Sequence, residues 1–147
     1  MPTLPEFVLD TSVALKWFLL RDEADRDRAL ALRRALLEGR VMLRAPELLA
    51  IELANVLVAG RKFTARQAAS AVAALRNLAL QFHPLEWQTL SLAVELASES
   101  EAAVYDCLFL AMAETCDCLL VTADESFLRK VGKHPRILRL SQWRLSD

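Results

Sequence analysis

An α/β domain, with a parallel sheet covered by helices on both faces, is what this sequence predicts, and two patterns predict it. Short runs rich in Val, Leu and Phe alternate with helical stretches of about 10 to 15 residues, the rhythm of strand–helix–strand units. The first run, Phe7–Leu9, is apolar at every position, as in parallel strands buried on both sides. At 147 residues the chain reads as a single domain spanning 1–147, large enough to bury its own core.

Taken in order, Phe7–Leu9 is the first strand. Thr11 or Ser12 can cap a helix through Val13–Leu20. Glu23–Glu38 has amphipathic spacing and Gly39 as its stop. Val41–Leu43 is a second short strand. Pro46 can open a helix running to about Ala59, with Gly60 closing it. Thr64 caps a helix to about Ala79, Gln81–Leu85 is a brief strand, and Glu86–Ser98 and Val104–Thr115 are helical. Leu119–Thr122 is a strand, Glu125–Val131 a short helix, and Ile137–Leu140 a last strand. In such sheets ligands gather at the carboxyl ends of the strands, where Asp10 and Asp124 fall.

Composition removes several classes. The chain is 54% hydrophobic, yet the uncharged run Cys107–Ala113 is far shorter than the roughly 20 residues that span a bilayer. No leader-like segment opens it, so a cytoplasmic protein without membrane attachment is expected. Cys107, Cys116 and Cys118 are read as reduced structural thiols, because Cys116–Cys118 lacks the spacing and the His of a zinc knuckle. With Gly39, Gly60 and Gly132 as the only glycines, neither a phosphate-cradling loop nor a dinucleotide fingerprint can be written. No nucleophile elbow is present. His83 and His134 are the only histidines, which disfavours a metal-free ribonuclease with paired imidazoles. A net charge of −1 gives no global basic footprint, so any polyanion must be held by a local patch or by cations.

Four carboxylates carry the chemistry. Asp106 is the one charge between Ala102 and Ala113, in a helix apolar enough to be buried, where a lone carboxylate is costly unless paired or bound to a cation. A first-turn Asp also satisfies free helix amides, and that reading competes. Glu52 lies mid-helix on a stripe with Leu48, Asn55 and Ala59, without a basic partner within a turn; snorkelling to the surface is its alternative. Asp10 and Asp124 each precede a helix and singly read as N-caps. Their common address at strand ends argues for one site, with Thr11, Ser12 and Thr122 supplying hydroxyls nearby. Four converging carboxylates repel one another unless a cation or a proton intervenes. All-oxygen ligands select Mg²⁺ or Mn²⁺, which can activate water on a phosphodiester.

These residues resemble the PIN-domain nucleases and, among them, the VapC-like toxins of VapBC toxin–antitoxin pairs. Val8–Phe18 (VLDTSVALKWF) is similar to the family's first motif, Pro46–Leu57 (PELLAIELANVL) to its second, Tyr105–Ala113 (YDCLFLAMA) to its third and Leu120–Phe127 (LVTADESF) to its fourth. Each is weak alone; in this order and spacing, over about Phe7 to Phe127, they are strong together. The resemblance implies a three-layer α/β/α fold and an Mg²⁺- or Mn²⁺-dependent endoribonuclease. It carries metal binding onto Asp10 and Asp106 most directly, with Glu52 and Asp124 completing the cluster and Ser12 and Thr122 supporting it. It implies in-line attack by metal-activated water, with Asp10, Asp106 and Asp124 holding the metal and Glu52 orienting or deprotonating the water, to give 5′-phosphate and 3′-hydroxyl ends. It implies a homodimer and a VapB-like antitoxin as partners, besides the RNA substrate. Cys107 departs from the small residue usual at its position, without touching the acids.

Lys16, Arg61, Lys62, Arg129 and Lys130 lie near motif ends and are candidate RNA contacts, although a solvated surface role competes for each. Two rival functions remain. A phosphotransferase using Asp10 as nucleophile would want a second Asp where Ser12 stands. A non-catalytic binding module would be favoured by loss of an acid, and all four are present.

Overall fold

The computed structural model describes residues 3–19, 24–60 and 63–146. Among them, five strands form one parallel sheet: β1 (Glu6–Leu9), β2 (Met42–Pro46), β3 (Gln81–His83), β4 (Leu119–Thr122) and β5 (Ile137–Arg139), in the order β3-β2-β1-β4-β5. Between them run α1 (Thr11–Leu15), α2 (Arg26–Leu37), α3 (Leu48–Ala59), α4 (Ala65–Asn77), α5 (Trp87–Ser100), α6 (Val104–Thr115) and α7 (Glu125–Val131), with a 3₁₀ turn at Leu140–Gln142.

The strand order sets the layers. From β1 the chain steps outward to β2 and β3, then returns across to β4 and on to β5. Parallel crossovers are right-handed, so α1–α4 cover one face and α5–α7 the other. Burial agrees: Val8 and Leu9 are consecutive, point to opposite faces and are both fully buried. Helix α6 lies across β1, β2 and β4 with α5 packed against it, and Cys107–Ala113 are all buried. The expected α/β/α architecture is the one found. No helix among the described residues is long and apolar enough to cross a membrane.

Most expected elements stand within a residue or two of their observed ends, and the differences have local causes. Asp10, not Thr11 or Ser12, is the N-cap of α1, accepting from the Ser12 amide. That helix stops at Leu15 because the chain tightens into 3₁₀-type turns from Lys16 to Phe18 and the buried Trp17 indole donates to the Ala29 carbonyl at 2.8 Å. Pro46 ends β2 instead of opening α3. Its missing N–H costs nothing there, since the next amide, Glu47, reaches the His83 carbonyl at 3.2 Å. Leu20 and Glu23, at the expected helix ends, lie outside the described residues. Thr64 caps α4 as expected, in a full capping box with Gln67. Gly39 takes φ +68 after α2, a conformation in which a side chain is strained.

The three thiols are free, and burial raises the pKa of Cys118 to about 11, so it stays protonated at neutral pH. His83 lies 3.2 Å from the Arg44 guanidinium, which pairs with Glu6 at 3.0 Å. His134 pairs with Glu114 at 3.0 Å. Both imidazoles are committed to structure.

Phe109 is among the largest fully buried side chains and fixes α6 beneath the sheet. Phe109→Ala is expected to cost about 3–5 kcal/mol in urea denaturation. Tyr105→Ala, on the 58% exposed face of the same helix, is expected to stay within about 0.5 kcal/mol. Equal losses from the two would refute this placement of the helix.

Candidate active site

Strand register builds the site. Leu9 pairs with Val121 in the β1–β4 ladder, and the Asp10 amide extends that ladder to the Val121 carbonyl at 3.0 Å. Asp10 therefore leaves β1 level with Thr122 at the end of β4, as the sequence leads one to expect for a site at the strands' carboxyl ends.

Asp10 is 8% exposed, and its burial is met by a concentrated set of donors. Its Oδ2 accepts from the Ser12 amide (3.1 Å), the Ser12 hydroxyl (2.5 Å) and the Thr122 hydroxyl (3.2 Å). Both hydroxyls spend their single proton on this oxygen. Each then accepts from the loop after β4: Ser12 Oγ from the Ala123 amide at 3.0 Å, Thr122 Oγ1 from the Asp124 amide at 3.2 Å. Ser12 and Thr122, the residues expected to support the acids, both bond to Asp10. They couple one buried oxygen to the turn that carries Asp124. Oδ1 of Asp10 accepts no hydrogen bond among the described residues and is free for a ligand.

The other acids come from three separate elements. Asp124 caps α7, its Oδ1 accepting from the Phe127 amide at 3.0 Å. Glu52, one turn into α3, is half-buried and accepts the Thr11 hydroxyl at 2.9 Å through Oε1, so it does not snorkel away. Thr11 is the link from α1 to α3. Asp106 stands in the first turn of α6, whose N-cap is Ala103.

Electrostatics tie the four together. Burial raises the pKa of Asp10 to about 6, opposed by its Ser12 hydrogen bonds and reinforced by the charges of Asp124 and Asp106. Burial raises that of Glu52 to about 7, opposed by Thr11 and reinforced by Asp10, Asp106 and Asp124. Asp106 is raised by burial and by Asp124, and lowered by Lys130. Lys130 is a cation that sequence reasoning offered only as a surface RNA contact; it stands in the last turn of α7. Lys16, offered on the same grounds, is buried beside Thr122 and is no surface contact. Arg61 and Lys62 lie outside the described residues.

An all-carboxylate set suits a hard cation such as Mg²⁺ or Mn²⁺, and the part that neighbouring carboxylates play in raising Asp10, Glu52 and Asp106 is that of converging negative charge. Among the described residues no three Asp, Glu, His or Cys side chains close on one metal-sized point. That is compatible with Mg²⁺, which keeps several waters and is held through one or two carboxylates.

Comparison with known proteins follows from this geometry. The family model of the PIN domain matches residues 7–133. No curated protein matches the sequence. Among solved structures the chain is similar to a toxin-antitoxin complex from Klebsiella pneumoniae, at 18% identity over 91% of this chain and 97% of that one, TM-score 0.66. It is similar to VapBC2 from Rickettsia felis bound to a DNA fragment from its promoter, at 17% identity over 91% and 96%, TM-score 0.66. It is also similar to Mycobacterium tuberculosis VapC20, a sarcin-ricin loop cleaving toxin, at 16% identity over 84% and 93%, TM-score 0.65. At such identities the likeness is one of fold.

The raised carboxylates give stability a definite pH dependence. Their contribution is fully present below the unfolded values of 3.8 for Asp10 and 4.5 for Glu52, and is lost as pH rises through about 6 and about 7. In chelator, Tm is expected to fall between pH 5 and pH 8, and Asp10→Asn should flatten the fall. Parallel curves for the two proteins would show that Asp10 is not under this strain.

Proposed function

The chain belongs to the PIN domain family, and from that premise we propose that it is an Mg²⁺- or Mn²⁺-dependent endoribonuclease, the toxin of a toxin–antitoxin pair. PIN domain proteins are nucleases; metal dependence, RNA as substrate and the assignment of residues are our reading. One observation carries it. At the carboxyl end of the sheet, burial first and neighbouring carboxylates second, Asp124 among them, raise the proton affinity of Asp10, Glu52 and Asp106.

In this reading Asp10, Asp106 and Asp124 would hold the cation, one or two of them directly and the rest through its waters, Asp10 offering the oxygen that accepts no hydrogen bond among the described residues. A divalent cation there supplies charge neutralisation at the phosphodiester and lowers the pKa of water. Glu52 is suited to take the proton of the attacking water. Its affinity is lifted to about 7, near the operating pH where a general base is most effective, and Thr11 fixes the carboxylate while engaging one oxygen only. Ser12 and Thr122 keep Asp10 ionised and aimed.

The partners belong to the same proposal. A VapB-like antitoxin would place Arg or Lys among these acids, where a guanidinium pairs with two carboxylate oxygens at once, and so compete with cation and RNA together. A homodimer and a cytoplasmic setting are carried over from the toxin reading on the same footing.

Two outcomes test the chemistry. Asp10→Asn and Asp106→Asn are each expected to abolish RNA cleavage at matched cation concentration, while Tm in chelator stays equal or rises. Near-normal cleavage by either variant would remove that residue from the site. The ends of the products decide the mechanism. Water attack leaves 5′-phosphate and 3′-hydroxyl termini and tolerates a single 2′-deoxyribose at the cut, whereas 2′,3′-cyclic phosphate would sink it.

A further inference from the structure

Positive charge is unevenly placed in this chain. The net balance is −1, yet Arg129–Arg139 holds five Lys and Arg and no Asp or Glu. Arg136 is engaged by Asp117 and Arg139 by both oxygens of Glu125, at 2.9 and 3.0 Å. Arg129 and Lys133 are exposed and have no carboxylate partner among the described residues. These two and Arg139 line a cleft of about 490 Å³ between α7 and β5, with Gln142 as a further donor and no carboxylate in its wall. His134, also at the rim, accepts the Arg136 amide at Nδ1 and meets Glu114 through Nε2, so both ring nitrogens are used.

Arg139 has a second face. It also lines a cavity of about 90 Å³ together with Thr122, the residue that donates to Asp10, and with Glu125 and Ser141. Arg139, held by Glu125, therefore borders both the cavity that Thr122 lines and the basic cleft. On the other side of α7, Lys130 reaches the field of Asp106.

We propose that the Arg129–Lys133–Arg139 cleft is a subsite for a phosphate of the RNA strand, with its attached nucleotide, displaced from the bond that is cut. The inference rests on the RNA-cleaving reading of the acid cluster. Four carboxylates repel a polyanion, so affinity must come from cations set apart from them but continuous with them, and α7 provides that span. The cleft falls within the range of small-ligand sites, roughly 300–1,000 Å³, and Leu128 and Ile137 give it an apolar floor for a ribose or base. A larger groove of about 550 Å³ beside α2 is less suited to an anion. Asp27 and Glu38 line it beside four arginines, of which Arg28 and Arg144 donate to the Trp143 carbonyl and Arg40 lies 4.0 Å from Glu38.

The test is binding of a fluorescein-labelled, ten-nucleotide single-stranded RNA in chelator, followed by anisotropy across a salt series. The double variant Arg129→Ala/Lys133→Ala should raise Kd about tenfold and lower the salt slope by about 1.4, the loss of two phosphate contacts on a single strand. Arg66→Ala/Arg76→Ala, the same charge change on exposed positions of α4, should leave both within twofold. Equal effects from the two pairs, no effect from the first, or no RNA binding by the unaltered chain would overturn the subsite. Displacement of the RNA by inorganic phosphate at equal total phosphate would overturn it too, reducing the cleft to a free-anion pocket. Cleavage of the same RNA is assayed in parallel with added Mg²⁺ or Mn²⁺. Binding with the expected variant pattern but no cleavage would refute the nuclease reading and leave the subsite standing.

Discussion

A carboxylate buried at the end of the central strand governs this structure. Taking Asp10 out of water is unfavourable unless donors replace the lost hydration, and three donors converge on one of its oxygens. Two of them are hydroxyls that also accept the amides of Ala123 and Asp124. The ending of β1, the start of α1 and the turn out of β4 are therefore one hydrogen-bonded unit. The same arrangement engages one oxygen of Asp10, while the other accepts no hydrogen bond among the described residues. The fold holds the group in place without neutralising it.

The remaining acids follow the same logic with less burial. Glu52 is restrained through Thr11 and Asp124 through the Phe127 amide, while Asp106 has a cation, Lys130, in its field. Each acid belongs to a different element, so no single helix or strand carries the repulsion, and the common core beneath them does. Phe109, Leu53 and Leu9 are fully buried under the elements that bear Asp106, Glu52 and Asp10. Stability given up where like charges lie close is recovered in the core.

Much of this was legible in the sequence because it rests on local pattern. Strand and helix alternation, the lone charge in Ala102–Ala113 and the placement of Asp10 and Asp124 at strand ends are readable from spacing alone. So is the Thr64 capping box. What escaped reading depends on contacts between distant elements. The short α1 follows from Trp17 reaching Ala29, and the strand role of Pro46 from a neighbouring carbonyl on His83. Lys16 looks like any surface lysine until the fold buries it. Arg139 carries no motif at all; its place between two cavities exists only once β5 lies against β4.

The strand order also has a consequence for how the protein is made. Asp10 is synthesised before the Thr122 hydroxyl that completes its setting, which lies 112 residues later. At about 5–20 residues per second the ribosome needs roughly 6–20 s to cover that interval. For that time the emerging chain has its first strand and no partner for it on the β4 side. A nascent chain of this topology cannot complete the setting of Asp10 until Thr122 has been translated.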